Sequence, residues 1–152
     1  MSDTGVQLCV LEVGQESYVI DLKRVDEILP AQQPTPVPRA PGFLEGVVKL
    51  RGEIVPVVDV RKRLGVTPRS AGSTDKRLKR RERLVVCKLG RRRVGFLVDA
   101  VTRVLRVERA ELKPAPLTAT PGKAPHVLGV CGEPGQLRLL LDLLSLVGED
   151  PS

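Results

Sequence analysis

Aromatic side chains are almost missing from this chain: Tyr18, Phe43 and Phe96 are the whole supply, and there is no tryptophan. A protein that reads single strands or flipped bases stacks them on several rings, so that platform is excluded. Histidine is as scarce. His126 follows Pro125 and precedes "VLGV" with no carboxylate beside it, so a general base, phosphoacceptor or metal ligand would lack an orienting partner there. The three cysteines, Cys9, Cys87 and Cys131, lie far apart without C-x-x-C spacing. Neither a disulfide framework nor a zinc site is supported, and their apolar surroundings predict buried thiols. No apolar run approaches the length of a membrane span, and "MSDTGVQ" is neither basic nor apolar enough for a signal peptide. The expected location is the cytoplasm. P-loop, G-x-G-x-x-G, H-E-x-x-H and G-x-S-x-G patterns are all absent. What remains is a chain that binds rather than transforms, with no cofactor, metal or small-molecule substrate called for.

Charge, by contrast, is plentiful and uneven. Arg61 to Arg93 holds fourteen Lys or Arg against Asp75 and Glu82, a net +12, while the remaining 11 basic and 16 acidic residues leave the rest at −5. One segment makes the protein basic. Its centre, "TDKRLKRRER", has a single apolar residue and reads as a solvated loop or helix extension. Lys76, Arg77, Lys79, Arg80 and Arg81 would attract an acidic protein or an anionic membrane surface. Phosphate-only contact with nucleic acid would be unspecific and salt-sensitive, and is disfavoured.

Short runs rich in β-branched residues, bounded by Gly, Pro or charge, predict a mainly β fold. Strands are expected at Val6 to Val13, Ser17 to Leu22, Glu53 to Val60, Arg83 to Leu89, Arg93 to Ala100, Val101 to Val107 and Gln136 to Leu143. "VGQES" and "LGRRR" read as hairpin turns. The Pro-rich stretches Pro30 to Pro41 and Pro114 to Pro125 must run as extended connectors. Pro56 removes a ladder donor and predicts an edge or a bulge. The halves also share one plan. A turn at Gly14, a strand ending at Asp21, apolar Val25 to Leu29, a connector, Gly46, Gly52-Glu53 and a strand ending at Asp59 are matched by Gly90, Asp99, Val101 to Leu105, a connector, Gly129, Gly132-Glu133 and Asp142. Asp59 and Asp142 each precede an apolar helical turn and suit N-caps. Two small barrels packed together fit the length, because each half alone buries too little core.

"GFLEGVVKLRGEIVPVVDVRKRLGV", with "RVGFLVDAVTRVLRV" and the closing "LLLDLLSLVG", resembles the CheW family of chemotaxis coupling proteins, in order from about Leu8 to Val147. The resemblance implies two five-stranded SH3-like β-barrels around a shared hydrophobic interface. It implies one domain over 6–149, with approximate sub-barrels 17–66 and 83–147 and terminal segments crossing between them; the charge distribution adds a basic inter-barrel loop at 67–82. It also implies no catalysis, but a bridge between chemoreceptor cytoplasmic tips and the regulatory domain of a CheA-type histidine kinase, in arrays at the inner membrane. Carried over residue by residue, Arg51, Gly52 and Val104 match receptor-binding positions, and Lys49 stands beside them where the family often has Asn. Val25, Glu27, Ile28 and Gly46 match positions that dock the kinase. The long, positive 67–82 loop departs from the pattern. It leaves open a divergent adaptor for another partner or pathway, and a basic β-barrel that binds nucleic acid.

Overall fold

The computed structural model describes residues 4–114, 126–132 and 136–148. Ten strands form two five-stranded sheets. In chain order they are β1 (Gly5–Val13), β2 (Glu16–Asp21), β3 (Val25–Pro30), β4 (Leu44–Leu50), β5 (Glu53–Asp59), β6 (Arg83–Leu89), β7 (Arg92–Val98), β8 (Ala100–Glu108), β9 (Val127–Cys131) and β10 (Arg138–Leu141). Short helices follow β5 and β10, α1 (Val60–Leu64) and α3 (Leu143–Leu146), and α2 (Lys76–Arg81) precedes β6. The first sheet runs β8-β1-β2-β10-β9 and the second β3-β6-β7-β5-β4. Adding or subtracting five turns one order into the other. The correspondence extends to detail: β2·β10 and β5·β7 are the parallel pairs, and the register shifts at Val25/Glu27 and at Val10/Leu11 fall at matching places.

The repeat predicted from the sequence is therefore real, but the sheets do not follow the division into 17–66 and 83–147. β2 belongs to the first sheet, and the β6–β7 hairpin of the second half belongs to the second. Each repeat donates its opening hairpin to the other's sheet. Both hairpins turn in two residues, Gly14-Gln15 and Gly90-Arg91, with positive φ at the glycine.

Strict alternation explains why the central strands read as unbroken apolar runs, because both of their faces are buried. In β1, Leu8 and Val10 face a core private to the first barrel, while Cys9, Leu11 and Val13 face the shared core. In β6, Leu84 and Val86 line the second barrel's core, while Val85 and Cys87 join the shared one. Tyr18 and Phe96, the largest fully buried side chains, both belong to that shared core. Each contributes roughly 1.5–3 kcal/mol by leaving water.

Three strands escaped sequence reading. β3, β4 and β9 lie at sheet edges and carry glycine or charge among half-exposed positions, so no clean apolar alternation marks them. Pro56 needs correction. β5 sits between β7 and β4, not at an edge, and the bulge in its pairing with β4 falls at Leu44/Gly46. The chain tolerates the missing donor because the parallel ladder to β7 begins one residue later, at Val57. Asp59 and Asp142 cap α1 and α3 as expected, accepting from the amides of Arg61 at 2.9 Å and Ser145 at 3.3 Å. The connector 115–125 and Glu133 lie outside the described residues.

Candidate interaction surface

The β4–β5 turn is Arg51-Gly52, closed by the pairing of Leu50 with Glu53. Arg51 has φ 51° and Gly52 φ 81°, the left-handed geometry of a tight hairpin turn. Glycine adopts it freely; arginine does so at a cost of about 1–2 kcal/mol. The turn swings the Arg51 side chain outward, 72% exposed, with its Nη2 2.8 Å from Oε1 of Glu27 on β3. Arg93 of β7 approaches the other Glu27 oxygen at 3.4 Å, and also Asp26 at 3.4 Å and Glu53 at 3.6 Å. Lys88 lies 3.5 Å from Asp26. Two residues assigned by resemblance to different partners, Arg51 and Glu27, thus share one ion cluster at the rim of the second barrel.

Lys49 is exposed on β4 and has no ion pair among the described residues; its cross-strand neighbour is Ile54, 59% exposed. Ile54 had no sequence signal of its own, since an apolar residue in a strand is ordinarily inward. It places an apolar contact beside Arg51. Ile28 is 42% exposed on edge strand β3, whereas Val25 is half-buried against the shared core. Val104, 49% exposed, stands on the other sheet's edge strand β8. Counted from the matching bulges, Ile28 and Val104 occupy equivalent positions in the two repeats.

Gly46 is buried. At φ 144°, a Cβ there would fall 2.1 Å from the carbonyl oxygen of Thr35. Its absence lets the Pro-rich connector cross β4, where Thr35 and Val47 exchange backbone hydrogen bonds of 2.8 and 2.9 Å. Gly129 does the same beneath Lys113 in the second repeat.

The basic segment folds around a group that the sequence did not announce. Arg61, in "DVR", is buried with three carboxylates: Asp59 at 2.8 Å, and Glu82 and Asp99 at 3.1 Å each. Asp99 also accepts from the amides of Gly14 at 2.6 Å and Arg69 at 3.0 Å, and Ser70 donates to Glu82 at 3.0 Å. Burial works against the Arg61 charge, but the hydrogen bond with Asp59 and the fields of Asp59, Glu82 and Asp99 outweigh it and raise its pKa further. Outside this network α2 presents Lys76, Arg77, Lys79, Arg80 and Arg81, all exposed. Their ion pairs are few: Arg77 with Asp75, Lys79 with Glu82, Arg81 with Glu12.

His126 pairs through Nδ1 with the Ser145 hydroxyl at 2.6 Å. Burial, then Arg63, lowers its pKa, with Asp142 opposing. All three cysteines are free and buried, and burial pushes Cys87 up to about 12, which leaves it unreactive. No described helix is long and apolar enough to cross a membrane.

Two five-stranded sheets around a shared core, with charged and apolar side chains exposed on their outer strands and turns, have the architecture of a small β scaffold. The CheW-like domain model matches residues 7–150, and the chain belongs to that family. It is 29% identical over 146 residues to a chemotaxis protein CheW of Treponema pallidum (strain Nichols), covering 96% of this chain and 84% of that one. It is 31% identical over 146 residues to a chemotaxis protein CheW of Rhizobium meliloti (strain 1021), covering 96% and 90%. Among solved structures, the scaffolding protein TtCheW from Thermoanaerobacter tengcongensis superposes with a TM-score of 0.82 at 26% identity, over 97% of this chain and 95% of that one.

Proposed function

We propose that this protein is a non-catalytic adaptor that couples methyl-accepting chemoreceptors to a CheA-type histidine kinase and is recruited with them to arrays at the inner membrane. The observation that carries this reading is Arg51, held outward on a left-handed turn and joined to Glu27, with Ile54 on β5 and Ile28 on β3 also exposed. A guanidinium beside apolar surface can bury its stem and offer a fork of donors to a partner carboxylate or carbonyl, the composition of an interface hot spot. Arg51, Gly52, Lys49 and Val104 serve the receptor, and Val25, Glu27 and Ile28 serve the kinase. Gly46 acts indirectly, by keeping the connector seated against β4. The test is co-purification with the kinase regulatory domain and with a receptor cytoplasmic tip. Arg51→Ala should weaken receptor capture at least about tenfold, the scale of an interface hot spot. Unchanged capture would sink the assignment.

Net charge favours an accessory contact. Five exposed cations within the six residues of α2 meet only a few carboxylates, so the helix adds an electrostatic attachment to an acidic protein or the anionic inner leaflet. Deleting Ser73 to Arg81 should flatten the salt dependence of association with receptor-containing membranes. An identical dependence in the deletion variant counts against the idea.

A further inference from the structure

The repeat invites a comparison of the two barrel rims, residue by residue. Val86 and Val10 stand at the same place in the β6–β7 and β1–β2 hairpins, three residues before Leu89 and Val13. Glu27 pairs with Val86, and Arg103 pairs with Val10. Arg93 matches Ser17 in the same way, through Lys88 and Glu12. On the other side of each rim, Val55 faces Val48 and Arg138 faces Cys131. The second barrel thus holds a carboxylate at Glu27, neutralised by Arg51 and Arg93, and packs Val55 fully into its core. The first barrel has a guanidinium at both equivalent places.

Arg103 and Arg138 line one open cavity of about 460 Å³ together with Glu16, Ser17, Leu137 and Leu139. Neither arginine makes an ion pair or side-chain hydrogen bond among the described residues, and the Nε of Arg138 is buried without a partner. A buried donor left unmet is costly, more so when charged. That cost is recovered when a ligand supplies the acceptor. Leu137, half exposed on the rim, adds an apolar shoulder. The cavity is far larger than a single ion requires, and the mixture of guanidinium forks with leucine suits a peptide better than a free anion.

We propose that this rim of the first barrel is a second docking site, which takes the carboxylates of an acidic segment of a partner protein in which Glu or Asp is interleaved with apolar residues. Arg138 fixes one carboxylate from within the cavity, and Arg103 meets it or its neighbour from β8. The site is separate from Arg51, and the proposal stands whether or not Arg51 contacts a receptor.

The test uses the full chain and a fluorescently labelled peptide of alternating Glu and Leu, with a Gln and Leu peptide as its uncharged twin, followed by anisotropy at physiological salt. Arg103→Gln and Arg138→Gln should each weaken the acidic peptide at least about tenfold, the loss of one charge-assisted contact, while Arg91→Gln on the exposed β6–β7 turn changes it by less than about twofold. Arg103 is exposed, so its variant keeps the test decisive if Arg138→Gln fails to fold. Several results overturn the proposal: no binding, equal binding of the uncharged peptide, or affinity lost in Lys79→Gln/Arg80→Gln rather than at Arg103. Full displacement by inorganic phosphate at equal strength would make this a free-anion site and overturn it too.

Discussion

Arg51 and Gly46 show how differently two residues can serve one surface. Arg51 is displayed at a backbone position that favours glycine, and its own side of the ion pair with Glu27 is largely in water. Such pairs contribute about 0–1 kcal/mol, so Arg51→Ala should change unfolding free energy by less than about 1 kcal/mol in urea titrations, even as receptor capture falls. Gly46 is the reverse case. Gly46→Ala combines a disfavoured φ with a collision against the Thr35 carbonyl, and about 3 kcal/mol of destabilisation is expected from strain and overpacking together. A variant that melts like the parent would contradict that close approach. The separation matters for reading any coupling defect: loss of binding at position 51 reports a contact, whereas loss at position 46 reports a displaced connector. Resemblance placed both residues near partners; the burial of Gly46 is what supports an indirect part for it.

At the level of elements, the stretch between the hairpins is organised from below by Arg61. α1 delivers it, β5 supplies Asp59, the end of β7 leads into Asp99, and the residue after α2 is Glu82. Removing one partner of a buried charge cluster leaves the others uncompensated, so Arg61→Met should cost about 3–5 kcal/mol and cut the urea midpoint accordingly. Arg61→Lys should rescue only part, because one ammonium cannot fork to three carboxylates. A neutral outcome for Arg61→Met would mean that the carboxylates reorganise or take up protons at little cost. In the sequence Arg61 is only the first residue of the basic segment, and Asp99 only a strand terminator. Nothing in a linear string marks which of the segment's fourteen basic residues turns inward; the "DVR" spacing, which puts Arg61 two residues after its own helix cap, is the only local trace.

For the whole molecule, the exchange of opening hairpins has a consequence for folding. A fragment of residues 1–72 carries β1 and β2 without β8 and β10, the strands that flank them, and carries β3 to β5 without β6 and β7. It should show no cooperative thermal transition alone and should gain one when mixed with residues 73–152, by circular dichroism. A fragment that melts cooperatively by itself would mean that each repeat can close on its own hairpin. The mainly β class, seven strand positions, both hairpin turns, the helix caps and the repeat were all legible in the sequence. They depend on local physics: alternation, turn chemistry and the conformational limits of glycine and proline. Strand partners, the buried Arg61 network, the central place of β5 and the unmatched Arg103–Arg138 rim were decided only by tertiary structure. Those depend on which distant segments meet, and the chain's own pattern is satisfied equally well whether a hairpin joins its own repeat or the other one.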